Sequence, residues 1–270
     1  SQPDWLPARA PGAAAPRGVV LVHGVLCNRG IWLPWLPALR ARGHAFEAVN
    51  LEPVFGAIDD YVPLIDAAVR RVAQATGRAP LLLCHSMGGL AVRAWLQAAG
   101  ADARVHRVVT LGTPHGGTAL ARFAYSPNGR QMRVGGDWLA LLQRGERAER
   151  AALFTCWYSN CDQIVFPAST AALPGAEQRF IAGVAHVQMA CHPQVLQACL
   201  EALDSDRAGW PFSGQKGLQR LPGKRWPLSK KVIRPPPRAR RPRTRAGRAG
   251  ARRAARSRPP SGRTAARSCR

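Results

Sequence analysis

The chain has 270 residues, enough to bury a sizeable core, and it contains no run of about 18 apolar residues, so no membrane-spanning helix is expected from the sequence. Its net charge of +24 is unevenly spread: residues 1–205 carry 18 Lys/Arg against 14 Asp/Glu, whereas residues 206–270 carry 21 against 1, so the extreme basicity belongs to the C-terminal stretch. Seven cysteines (27, 84, 156, 161, 191, 199 and 269) show neither a paired Cys-x-x-Cys metal spacing nor a dense framework; most read as buried thiols, with a Cys156–Cys161 or Cys191–Cys199 bridge as the alternative.

Residues 1–17 are rich in Pro and Ala without periodicity and read as an extended leader. The chain opens on Ser1 rather than on a methionine, which suggests that an upstream segment has been cleaved or left out; localisation, whether cytoplasmic, membrane-associated or exported, stays open. The β-branched run Val19–Val22 is a strand that ends in His23-Gly24-Val25-Leu26-Cys27-Asn28. Trp32 to Pro37 leads into a helix reaching about Arg42, with proline tolerated in its first turn, and residues 45–51 form a second strand. Val62, Ile65, Val69 and Val72 step by three and four and predict an amphipathic helix against a sheet.

The run PLLLCHSMGGLAVRAWL (residues 80–96) changes period from a short buried strand to a helix with Leu90, Ala91, Ala94 and Trp95 on one face. Between them lies His85-Ser86-Met87-Gly88-Gly89, a tight turn whose positions two before and two after Ser86, Cys84 and Gly88, are small enough for strand and helix to pass closely. Residues 105–111 are the next strand, ending in Gly112-Thr113-Pro114-His115-Gly116-Gly117-Thr118. Residues 119–150 interrupt the alternation with a turn signal at 125–129, then a loop and a short apolar helix. Strands at 153–159 and 178–184 follow, trailed by Asp162 and His186 respectively, and a helix over 194–203 closes the folded part. Strand alternating with helix predicts a parallel sheet with right-handed crossovers.

The serine turn resembles the nucleophile elbow of α/β-hydrolases, with Cys84 at the place of the first glycine of G-x-S-x-G, and LGTPHGGT (111–118) resembles the corresponding loop of bacterial lipases and related deacylase-like enzymes. The resemblance covers about residues 17–204 and implies an α/β-hydrolase fold: a mostly parallel sheet, helices on both faces, and a small cap insertion at 119–150. It implies a serine hydrolase of carboxylic esters, esterase- or lipase-like, acting on a small-molecule or lipid ester with no cofactor and no metal. Ser86 would be the nucleophile, Asp162 and His186 its partners in the order Ser, acid, His, and the amides of Val25 and Met87 the oxyanion donors. Asp137 in the insertion and Asp59, Asp60 and Asp66 before the nucleophile are rivals for the acid, and His192 for the base; His192 reads instead as a helix start. His23 reads as structural, and His115 as a pocket-lining or loop-bracing residue. Leu26, His85, His115, Phe123, Tyr125, Trp138, Leu139 and Leu142 are the expected pocket and cap residues, the aromatic and leucine set being equally readable as a satellite core.

From residue 205 the chain turns into Arg, Pro, Gly, Ser and Ala and is expected to be disordered, since it holds too little apolar surface to offset its ordering entropy. Such a tail would bind an anionic surface or nucleic acid through counterion release, although no Phe or Tyr follows Phe212 to stack on bases. All four lysines of the chain lie in it, and an out-of-frame reading of a GC-rich gene stands as the competing origin of that composition. Acyl transfer through the same three residues, or a non-catalytic scaffold working through the tail, are the alternatives to ester hydrolysis.

Overall fold

A computed structural model describes residues 2–7 and 15–204. The expected disordered tail, with its anionic partner, lies outside the described residues, as do residue 1 and residues 8–14.

Six strands, β1 (Val19–Val22), β2 (Phe46–Val49), β3 (Leu81–His85), β4 (Arg107–Leu111), β5 (Phe154–Tyr158) and β6 (Glu177–Phe180), form one sheet in the order β2-β1-β3-β4-β5-β6. Every pairing is parallel, in register Val19↔Phe46, Val22↔Cys84, His85↔Leu111, Leu111↔Trp157 and Tyr158↔Phe180. All-parallel pairing needs crossovers that cover both faces, and the central strands β1 and β3 accordingly read as nearly continuous apolar runs, whereas the edge strand β6 alternates. β1 and β3 are buried at every residue.

The two faces divide cleanly by side-chain parity. Val20, Val22, Leu82, Cys84, Val108 and Phe154 face a cluster with α2 (Val62–Thr76) and α3 (Met87–Ala99). Val19, Leu21, Leu81, Leu83, Val109 and Leu111 face the opposite cluster, built with α1 (Leu36–Ala41) and a later helix, Pro193–Asp204. α2 ends on Gly77 in the left-handed conformation, at φ 68°, which turns the chain back into β3.

Residues 119–150 hold two helices, α4 (Pro127–Gln131) and α5 (Asp137–Gly145). The turn expected at 125–129 is in fact the start of α4, because Ser126 accepts a hydrogen bond from Gly129 N at its N-cap and Pro127 fits the first turn. After β6 come α6 (His186–Met189) and α7 (Pro193–Asp204). The last strand is shorter than the sequence suggests: it stops at Phe180, and Gly183 takes φ 75° and turns the chain towards α6.

Part of the leader joins the sheet. Trp5 pairs antiparallel with Phe46 (N···O 3.0 and 2.9 Å), and Asp4 Oδ1 accepts the Ala48 amide at 2.9 Å and Arg29 at 2.7 Å. The six described cysteines are all unpaired thiols; burial pushes Cys156 up to about 11 and Cys199 up to about 12, so both stay protonated. No described helix is long and apolar enough to cross a membrane.

Candidate active site

All six strands run the same way, so the loops that follow them gather at one edge of the sheet. The loops after β1, β3, β4, β5 and β6 bring there Val25, Ser86, Gly112, Asp162 and His186.

Ser86 sits between β3 and α3 at φ 54°, ψ −128°, a conformation that costs a non-glycine residue about 1–3 kcal/mol and persists only where the surroundings enforce it. They do so through its backbone: Ser86 N donates to Leu111 O at 2.9 Å, and Ser86 O accepts from Thr113 Oγ1 at 2.8 Å and Gly89 N at 3.2 Å. The close pass of strand and helix is visible at Gly88, where a Cβ would lie 2.6 Å from His23 O.

Asp162 Oδ2 and His186 Nδ1 lie 2.8 Å apart, both side chains buried. The other carboxylate oxygen accepts the amides of Ile164 (2.9 Å) and Val165 (2.8 Å). Burial pushes the Asp162 carboxyl up, but the His186 hydrogen bond and the backbone amides outweigh it and hold the group below the usual carboxylate range. It is therefore ionised near neutral pH and an acceptor only, which makes His186 Nδ1 the protonated nitrogen and leaves Nε2 as the free base. Gly112, at φ 56°, lets the chain pass against this pair: a Cβ there would stand 2.9 Å from Asp162 Oδ2 and 3.1 Å from His186 Nδ1. Leu111, whose carbonyl holds Ser86, is its immediate neighbour.

After β1 the chain turns at Gly24, with Cys27 N bonded to Gly24 O at 3.3 Å and Leu26 forced to φ 58°. The strain at Leu26 has no signal in the sequence. Among the described residues no hydrogen-bond acceptor is found for the amides of Val25 and Met87, the latter heading α3, where first-turn N–H groups lack intrahelical partners. His23 braces this loop: its Nε2 accepts from Leu51 N (3.0 Å), so Nδ1 carries the proton and donates to Gly24 O (2.8 Å), and burial lowers its pKa.

The expected pocket residues scatter. Leu26 is exposed, as are Phe123, beneath the Arg122 guanidinium at 4.4 Å, and Tyr125. Leu139 and Leu142 are buried in the same cluster as α2 and α3, Trp138 packs against that cluster, and its Nε1 donates to Asp59 Oδ2 at 2.8 Å. His115 is sealed beneath its loop, with Nε2 3.1 Å from Thr110 Oγ1 and 3.5 Å from Cys156 Sγ; burial, then the nearby Arg93 charge, holds its pKa well below 6.5. His85 is buried and faces His186, with ring centroids 4.7 Å apart. Of the rival groups, Asp66 is engaged by Arg70, Arg104 and Trp95, and His192 Nδ1 accepts from Gln194 N (3.3 Å) at the start of α7. Among the described residues no group of three or more His, Cys, Asp or Glu could hold a metal ion.

No protein-family model matches the sequence, and a search of curated proteins finds no match. Solved structures do match in shape. The mature form of a lipase from Bacillus licheniformis superposes with a TM-score of 0.62 at 20% identity, over 73% of this chain and 95% of that one. The chain has the α/β-hydrolase fold. Lipase B of Aspergillus fumigatus has this fold at a TM-score of 0.61 and 17% identity, over 73% of this chain and 55% of that one, so the chain spans about half of that protein's length. A monoacylglycerol lipase from Paleococcus ferrophilus matches at 0.51 and 16% identity, over 71% and 96%. In this hydrolase fold Ser86 occupies the sharp turn between a central strand and its helix, and Asp162 and His186 follow later strands.

Proposed function

We propose that this chain is a serine hydrolase of carboxylic esters. The observation that carries the reading is the Asp162–His186 pair at 2.8 Å, gathered at the sheet edge where Ser86 is held in a strained turn. The lipase and monoacylglycerol-lipase neighbours support an ester as substrate.

In this mechanism Ser86 Oγ attacks the ester carbonyl carbon as His186 Nε2 takes the hydroxyl proton. Asp162 holds the tautomer and stabilises the imidazolium without accepting the proton. The carbonyl oxygen, now negative, accepts hydrogen bonds from the N–H groups of Val25 and Met87; loss of one such donor commonly costs about 100- to 1000-fold in rate. Collapse expels the alcohol, protonated by His186, and leaves an acyl group on Ser86. Water then attacks the acyl-enzyme while His186 takes its proton; the bond from the acyl carbon to Ser86 Oγ breaks, His186 returns the proton to Ser86 Oγ, and the carboxylic acid departs. Every bond made and broken is accounted for by side chains and backbone of this chain, the ester and one water.

Intact-mass labelling with a fluorophosphonate tests the proposal. One adduct per chain is expected on the wild type and none on Ser86→Ala, together with a loss of 4-nitrophenyl butyrate hydrolysis of more than about 10⁴-fold. A folded wild type that takes no adduct would refute it.

A further inference from the structure

A general base works only if its ring is held, and a ring is held only as well as the backbone that carries it. Asp162 fixes the His186 ring through Nδ1, but the backbone of His186 lies in α6, a helix of a single turn. That turn leaves both of its peptide groups to be satisfied from elsewhere. The His186 N–H is in the first turn and has no intrahelical acceptor. The His186 carbonyl loses its ladder partner because Ala190 N turns back to Val187 O (3.2 Å) and Met189 N goes to Ala185 O (3.2 Å).

Two side chains take up these groups. His186 N donates to Gln163 Oε1 at 3.2 Å, and His85 Nε2 lies 3.2 Å from His186 O. A carbonyl can only accept, so His85 Nε2 must be the protonated nitrogen. His85 Nδ1 is then a bare lone pair, buried and without a partner among the described residues. Burial, then the proximity of His186, pushes the His85 pKa down to about 3, so the ring is neutral wherever His186 could act. The other titratable groups acting on it are Asp162 and His23. The positions of the two anchors are informative: His85 immediately precedes Ser86, and Gln163 immediately follows Asp162.

The geometry assigns His85 and Gln163 as positioning residues that clamp the backbone of the base between the nucleophile's strand and the acid's loop. This rests on the reading of Ser86, Asp162 and His186 given above. The sequence suggested a pocket wall; in the structure His85 has 1% of its surface exposed and its hydrogen bond goes to the His186 carbonyl. Any shift of β3 against the loop after β5 is transmitted to the base through the same two hydrogen bonds that otherwise keep the three groups in register.

The clamp predicts a loss in kcat without a matching loss in binding. His85→Phe keeps a planar buried ring but removes the donor; kcat on 4-nitrophenyl butyrate and the rate of fluorophosphonate labelling should both fall about 10- to 100-fold, with KM within about threefold of wild type. His85→Gln restores an N–H donor and should recover most of that loss. Gln163→Ala, at an exposed side chain that tolerates truncation, should lower the labelling rate about 3- to 10-fold. Equal labelling rates for wild type, His85→Phe and Gln163→Ala would overturn the clamp, as would a slow His85→Phe that His85→Gln does not rescue. If His85→Phe fails to fold, an unchanged rate in Gln163→Ala still overturns it. A folded wild type that is never labelled would instead refute the hydrolase reading itself, so the two failures are distinct.

Discussion

Gly24 shows how little room the candidate site leaves. A Cβ at that position would stand 2.6 Å from Ser86 Cβ and 3.2 Å from Ser86 Oγ, so either the serine or the loop carrying Val25 would have to move. Gly24→Ala is expected to leave the fold standing and to lower kcat/KM for 4-nitrophenyl butyrate by about 100-fold, since a shift of about an ångström at reacting atoms commonly costs that much. Activity within about threefold of wild type would mean that the loop after β1 does not face the nucleophile. The histidines make a related point. His23, His85, His115 and His186 all stand in the motifs of the sequence, where only their order along the chain favours His186 as the base. Their partners separate them further: His23 has both nitrogens engaged by backbone, His115 faces Thr110 and Cys156, His85 faces a carbonyl, and of these four His186 is the one that faces a carboxylate.

At the scale of elements, α3 is the piece to which others attach. It begins at the strained Ser86, is buried through its first ten residues, and carries Arg93, which is fully buried. The Arg93 guanidinium grips Glu146 with two hydrogen bonds (2.8 and 2.7 Å) and donates to His115 O (2.9 Å), tying together the end of α5, the 111–118 loop and the elbow helix. Removing one partner of a buried pair strands the other charge, typically at about 3–5 kcal/mol, whereas removing both is far less damaging. Arg93→Met should therefore depress the urea midpoint sharply, and Arg93→Met combined with Glu146→Leu should recover part of the loss; a double variant as weak as the sum of the singles would show that the pair is not coupled. This tie also explains the fate of the 119–150 segment. Its apolar spacing announced a short helix, but nothing local to it distinguishes a roof over substrate from a layer packed on α3. Leu139 and Leu142 are buried in the core that α3 shares, while Phe123 and Tyr125 stay exposed.

For the whole molecule, burial of neutral histidines sets the response to acid. His85 is held at about 3, and His115 well below 6.5, both chiefly by desolvation, while in the unfolded chain each would titrate near 6.5. The unfolded state thus binds more protons between those limits, and stability is complete above about pH 6.5 and falls as pH drops towards 3. The lowered carboxyls of Asp66, Asp102 and Asp162 extend the loss below their ordinary pKa values, because each is a better acid folded than unfolded. Urea unfolding from about pH 7 to about pH 4 should show a decline on the order of a few kcal/mol, smaller in His115→Gln, which takes no part in the chemistry. A flat profile would mean that these histidines are solvated in solution.

By itself the sequence determined the parallel α/β order, the serine turn and the loops that hold Asp162 and His186, because each of these is written in local patterns: apolar runs of strand length, helical spacing, and small residues flanking a tight turn. Tertiary structure alone decided that Trp5 of the leader pairs with Phe46, that Leu26 is strained, that Leu139 and Leu142 pack with α3, and that His85 meets the carbonyl of His186, 101 residues away. The physical reason is common to three of the four. The pairing of Trp5, the packing of Leu139 and Leu142 and the contact of His85 each join segments distant in the chain through a backbone group or an apolar surface that looks alike at every position in the sequence, so only the packed sheet could select the partner; the strain at Leu26 lies in a short local turn that no residue type announces.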